Sequence, residues 1–177
     1  MFKKSFISCP SLGLKGARAR LDFCKRAGLG LLFLALVFLP ACHTVPPFPP
    51  VNVSDPGWTV RQGQAVWKPK KSAPEIAGEL LVATRPDGRS LVQFTKTPIP
   101  FVVAQTTTNS WEIHFVPNNK TYSGHGRPPS QLSWLHLARC LAGIAPPKFW
   151  HWKQLDDGNW RLENHYTGET LEGYLSP

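Results

Sequence analysis

In Ser110-Trp111-Glu112-Ile113-His114-Phe115-Val116-Pro117-Asn118-Asn119, large apolar side chains fall on every second residue and a Pro-Asn-Asn turn follows at once. Period two sends Trp111, Ile113 and Phe115 to one face of an extended segment and Glu112 and His114 to the other, the pattern of a half-buried antiparallel strand. The same alternation runs through Ile76, Leu80 and Val82 on one side of this stretch and through Trp160 and Leu162 on the other. Between such segments stand Pro86-Asp87-Gly88, Thr108-Asn109-Ser110, Asp156-Asp157-Gly158 and Thr167-Gly168, residues that tight turns select for positive φ or side-chain capping. The pattern predicts a mainly β domain, a meander with strands near 63–68, 76–85, 89–96, 101–106, 111–116, 119–123, 149–155, 159–164 and 169–175.

One segment breaks the alternation. Ser130 to Ala142 reads as a helix, with Ser130 as its cap and Gly143 ending it ahead of Pro146 and Pro147. On a helical wheel Trp134, Leu135, Leu137, Ala138, Leu141 and Ala142 fill an arc of about 160°, leaving Ser133, His136 and Cys140 opposite. A helix inserted between two runs of antiparallel strands lies across the sheet, so the expected architecture is an unclosed, strongly curved half-barrel with a helical lid on its concave face. That face would carry Trp67, Leu80, Val82, Trp111, Ile113, Phe115 and Trp160, with Trp150 or Trp152 beside them. These side chains either line a cavity for acyl chains or fill the barrel themselves, and the helix either covers the cavity or completes the core.

The strands begin only after a different kind of sequence. Residues 1–41 hold a basic leader (Lys3, Lys4, Lys15, Arg18, Arg20, Lys25, Arg26) and an apolar run from Ala27 to Leu39, the layout of a secretory signal and too short to span a bilayer as a helix. Leu39-Pro40-Ala41-Cys42 resembles the lipobox of bacterial lipoproteins, which implies lipidation of Cys42 after cleavage. Residues 42–57, with Pro46, Pro47, Pro49, Pro50 and Pro56, read as a polyproline tether reaching up to roughly 40 Å. Residues 58–177 are left for the domain.

Of the formal charge of +9, most sits in the leader; the remainder has 13 Lys and Arg against 10 Asp and Glu. Lys68, Lys70 and Lys71 form its one basic cluster, so nucleic-acid binding has no footprint here. Cys9 and Cys24 lie in the leader and Cys42 is assigned to the lipid, which leaves Cys140 without a disulfide partner. The histidines show no metal-ligand spacing, and neither a nucleophile elbow nor a phosphate-binding glycine loop is present; the expectation is a protein without catalytic residues, metal or cofactor. Glu163, Glu169 and Glu172 fall where solvated strand faces are expected. Thr95-Lys96-Thr97-Pro98-Ile99-Pro100-Phe101 stands out, since neither Pro98 nor Pro100 can donate to a ladder and Ile99 is held between them at a turn. Projecting outward, Ile99 would suit a membrane interface; folded back, it would join the sheet.

Three stretches together resemble the LolB family of outer-membrane lipoprotein receptors: Leu91-Val92-Gln93-Phe94-Thr95-Lys96-Thr97-Pro98-Ile99-Pro100, Leu132 through Gly143, and Asp156-Asp157-Gly158-Asn159-Trp160-Arg161-Leu162-Glu163-Asn164. The resemblance covers roughly residues 60–175. It implies a half-barrel that receives lipoprotein acyl chains from a periplasmic LolA-like carrier and delivers them to the outer membrane. It further implies a lid made by Leu132, Trp134, Leu135, Ala138 and Leu141, and a membrane-insertion loop of Pro98, Ile99 and Pro100. His43, where enteric inner-membrane lipoproteins carry aspartate, favours the outer membrane. The competing expectation is a structural envelope lipoprotein with a filled barrel that binds a polysaccharide or a protein partner.

Overall fold

The computed structural model describes residues 48, 50–155 and 158–176; the signal segment and Cys42 lie outside the described residues. Nine antiparallel strands form one sheet: β1 (Thr59–Lys68), β2 (Ile76–Thr84), β3 (Ser90–Lys96), β4 (Ile99–Thr106), β5 (Ser110–Phe115), β6 (Lys120–His125), β7 (Trp150–Gln154), β8 (Asn159–Asn164) and β9 (Thr170–Leu175). Every segment expected as a strand is one. β1 begins at Thr59, four residues before its apolar alternation becomes legible, because its first residues pair with the end of β2.

The strand order is β6-β5-β4-β3-β2-β1-β9-β8-β7. Two meanders, β1–β6 and β7–β9, are thus joined by the pairing of the first strand with the last, and β6 and β7 remain as the two free edges. The sheet is unclosed. The chain must travel from one edge to the other between β6 and β7, and it does so across one face, carrying the helix α1 (Trp134–Leu141). The strand order thus requires a crossing, and the packing of the helix over β2 to β5 puts it on the concave face with the core.

Cross-strand register assembles the core. Trp67, Leu80, Phe94, Val102 and Ile113 project to the same side of neighbouring strands, and Leu162 and Leu171 continue the layer through β8 and β9. Gly78 faces this layer too, and a Cβ there would lie 2.5 Å from the Thr95 carbonyl oxygen and 2.9 Å from the Phe94 ring. The register between β3 and β4 shifts at Phe94 and Thr95, a bulge next to the hairpin that carries Pro98 and Pro100.

The helix differs from its expectation in two respects. It starts at Trp134 rather than after Ser130, because Ser130 to Ser133 form turns in which Leu132 N–H donates to Pro129 O and His136 N–H to Ser133 O. Leu132 therefore precedes the lid instead of belonging to it. Its far end is as read, with Gly143 in a left-handed conformation and the Ile144 amide bonded back to Arg139 O. The second face, with Ser133, His136 and Cys140 opposite the apolar arc, is buried as well, whereas Ala142 at the end of the arc is exposed. Segments 127–129 and 145–147 wrap the back of the helix, so both of its sides are covered.

The proline run does not stand clear of the domain along its whole length. Phe48 is half-buried, and Phe48, Pro50 and Val51 line a small cavity of about 70 Å³ with Arg85, Arg89 and Thr106. Arg85 lies over the Trp58 ring at 5.6 Å.

Candidate functional site

The concave face under α1 gathers aromatic rings. Trp134, on the first turn of the helix, meets Trp67 edge-on at 5.5 Å and lies against Phe94 at 5.1 Å. Trp67 also contacts Phe101 at 6.1 Å and Phe115 at 6.4 Å, and Phe94 meets Phe101 at 6.4 Å. On the other limb Trp152 stacks on Trp160 at 5.7 Å. Such offset and edge-to-face pairs add about 0.5–1.5 kcal/mol each beyond the burial of their area.

All seven residues expected on the concave face are there: Trp67, Leu80, Val82, Ile113 and Trp160 are buried, and Trp111 and Phe115 pack half-buried against the cluster. What they surround is side chain rather than space. Trp134, Leu135 and Leu137 are each at most 1 % exposed and enter the layer from above, while Phe94 and Val102 close it from below. In the conformation observed, the half-barrel is filled by its own indoles and leucines. Phe94 and Phe101 are central to the cluster yet carry no sign of it in one dimension; the β3–β4 register alone brings them there.

A carboxylate is set into the edge of this layer. Glu169, in the turn before β9, accepts a hydrogen bond of 3.0 Å from the Trp67 indole and one of 2.7 Å from the Ser133 hydroxyl. Burial raises its pKa above the usual carboxylate value, against the lowering effect of the two hydrogen bonds. Ser133 occupies the N-cap of α1 but makes no side-chain cap bond, because its hydroxyl is committed to Glu169. The expectation that Glu169 is solvated is thus corrected: it fastens the helix N-terminus to the sheet. Two more polar ties hold the crossing segment, Trp150 Nε1 donating to Ser130 O at 2.6 Å and His136 Nε2 bonded to Pro129 O at 3.0 Å. Burial depresses the His136 pKa, and it pushes the thiol of the packed Cys140 up to about 11, which keeps it in the thiol form at neutral pH.

The hairpin joining β3 to β4 turns through Thr97-Pro98. Ile99 is 57 % exposed, Pro98 is exposed and Pro100 half-buried, so of the two placements for Ile99 the projecting one is found. A branched aliphatic with that much surface in water gains by meeting an apolar phase.

Among the described residues no group of three or more His, Cys, Asp or Glu is arranged to hold a metal, although β7 and the end of β8 bring His151 and His165 within 4.1 Å, ring centre to ring centre. No helix among the described residues is long and apolar enough to cross a membrane. The arrangement as a whole is an aromatic concave face, one short helix tied over it through Glu169, and an aliphatic tip at the end of a neighbouring hairpin. No family model matches the chain, and no curated protein shows significant similarity to it.

Proposed function

We propose that the protein is an acyl-chain-binding lipoprotein of the LolB kind, anchored by Cys42 in the outer membrane and facing the periplasm. It takes hydrocarbon from a periplasmic carrier and passes it to the bilayer. The observation that carries the reading is the short helix, eight residues long, as cover for a continuous aromatic surface on an open sheet. Because the observed core is filled, the binding state is one in which α1 moves off and an acyl chain takes the place of Trp134, Leu135 and Leu137. Hydrocarbon transfer contributes about 0.8 kcal/mol per CH2, so a long chain can offset the contacts that the helix gives up. Ile99 then supplies the point of contact with the membrane. Transfer of this kind needs no nucleotide, since each step exchanges one apolar contact for another.

The test uses the full chain with Cys9, Cys24 and Cys42 replaced by serine, so that Cys140 is its single thiol. A fluorescent fatty acid should bind saturably, and the Cys140 thiol should react with a thiol reagent faster when ligand is present. The completeness of the packing supports a second reading, an anchored structural protein whose barrel is permanently full. Absence of saturable binding, together with a Cys140 that stays inert at every ligand concentration, would establish that second reading instead.

A further inference from the structure

The face of the sheet turned away from α1 carries a groove of about 690 Å³ that the acyl reading does not use. Register shows how it is made. Glu79, Gln64, Tyr174 and Asn159 stand directly opposite one another on β2, β1, β9 and β8 and form a polar row across four strands. Ala77, Val66 and Glu172 form a second, parallel row two residues along each strand. Between the rows lies bare backbone, and at Gly173 the strands β1 and β9 approach so closely that a Cβ would collide with the Gln64 carbonyl. Thr97 from the β3–β4 turn and Leu155 from the β7–β8 turn stand among its lining residues. At the usual spacing of neighbouring strands the row from β2 to β8 spans about 14 Å.

We infer that this groove binds a short neutral or amino-sugar oligosaccharide. Four observations choose this ligand. The polar row supplies amide and carboxylate groups, which can donate to and accept from neighbouring sugar hydroxyls, and a Tyr174 ring 41 % exposed, which offers an apolar face for a pyranose. Glu79 and Glu172 are the charged residues lining the groove, which disfavours sulfated or phosphorylated polymers. Thr97 donates to Glu79 at 3.2 Å and Arg161 to Glu172 at 3.2 Å, so both carboxylates are held in place while remaining open to a ligand. Finally, β1, β2, β8 and β9 are all interior strands with a neighbour on each side, so a peptide cannot add as a further strand and recognition falls to side chains.

Isothermal titration calorimetry of the full chain with chitotetraose, its fully de-N-acetylated form, a heparin tetrasaccharide and tetralysine tests the site. Saturable binding of at least one of the first two is expected, weakened about tenfold or more by Tyr174→Ala and by Ala77→Trp, each with an unchanged melting temperature. Ala77 is exposed, so the tryptophan fills the groove without entering the core, and it serves where Tyr174→Ala proves unstable. Failure of both sugars to bind, equal or tighter binding of heparin or tetralysine, or sugar affinity indifferent to Ala77→Trp would overturn the inference. Fatty-acid binding under α1 is read separately through Cys140, on the opposite face, so either result stands without the other.

Discussion

Glu169 is where a single residue reports on the whole packing. Its pKa is raised in the folded protein, so the native state holds a proton that the unfolded chain releases from about 4.5 upward. Stability therefore carries a contribution present in full below that pH and lost as pH rises through the raised value. Melting temperatures measured across the acidic range should fall along this window and then level off, and Glu169→Gln should flatten the step, since the amide oxygen still accepts from Trp67 and Ser133. Trp67→Phe keeps an aromatic ring, though a smaller one, and removes the donor; it should cost at least about 1–3 kcal/mol in denaturant unfolding because the carboxylate loses a partner where water is excluded. Gly78→Ala should cost a similar amount, about 1–3 kcal/mol, as its methyl would press on the Phe94 ring and the Thr95 carbonyl. Of these three sites only the inward placement of Trp67 was legible in the linear chain; its bond to Glu169 and the tight fit at Gly78 were not. Glu163, Glu169 and Glu172 look alike on one hairpin, and the middle one is distinguished by donors far away in sequence, the Ser133 hydroxyl 36 residues earlier and the Trp67 indole 102 residues earlier.

For the elements, the strands were readable because one buried face imposes period two, and the turns between them supply their own chemistry. The helix was readable as to existence and C-terminus, where Gly143 and the following prolines leave little choice. Its start was not, since Ser130 and Ser133 are equally good caps by composition and the choice is made by Glu169 and by the Trp150 bond to the Ser130 carbonyl. The covering of its second side was not readable either: His136 and Cys140 are buried by segments 127–129 and 145–147, which a wheel cannot contain. Leu137→Ala, at a fully buried position, should cost about 2–5 kcal/mol. Arg139→Ala, on the exposed strip of the same helix, should change stability by less than about 0.5 kcal/mol. Equilibrium urea titrations of the two variants give the comparison, and similar values for both would mean that the helix is not seated as described.

At the level of the molecule, the half-barrel and the side on which the helix lies followed from strand count and the position of the insertion. Whether the interior is hollow did not, because filling is decided by the third-dimensional meeting of Trp134 with Trp67 and Phe94. The outer groove was likewise illegible, being made by register between strands far apart in sequence. Ile99→Asp separates membrane contact from folding: with 57 % of the residue already in water, stability should stay within about 0.5 kcal/mol of the parent, while co-sedimentation of the domain with lipid vesicles should drop. A vesicle-binding profile identical to the parent would remove the hairpin from the proposed delivery step.

The pairing of β1 with β9 also bears on the order of events during synthesis. Six strands of meander leave the ribosome first, with Trp67, Leu80, Phe94 and Ile113 bared on one side, and neither α1 nor the final hairpin yet exists to shield them. Long-range closure of this sort is slow, and a nascent chain with so much naked aromatic surface is prone to self-association. Completion waits for β9, because Thr170–Leu175 wedge a strand between β1 and β8; without them the sheet would keep both halves and lose the seam that unites them.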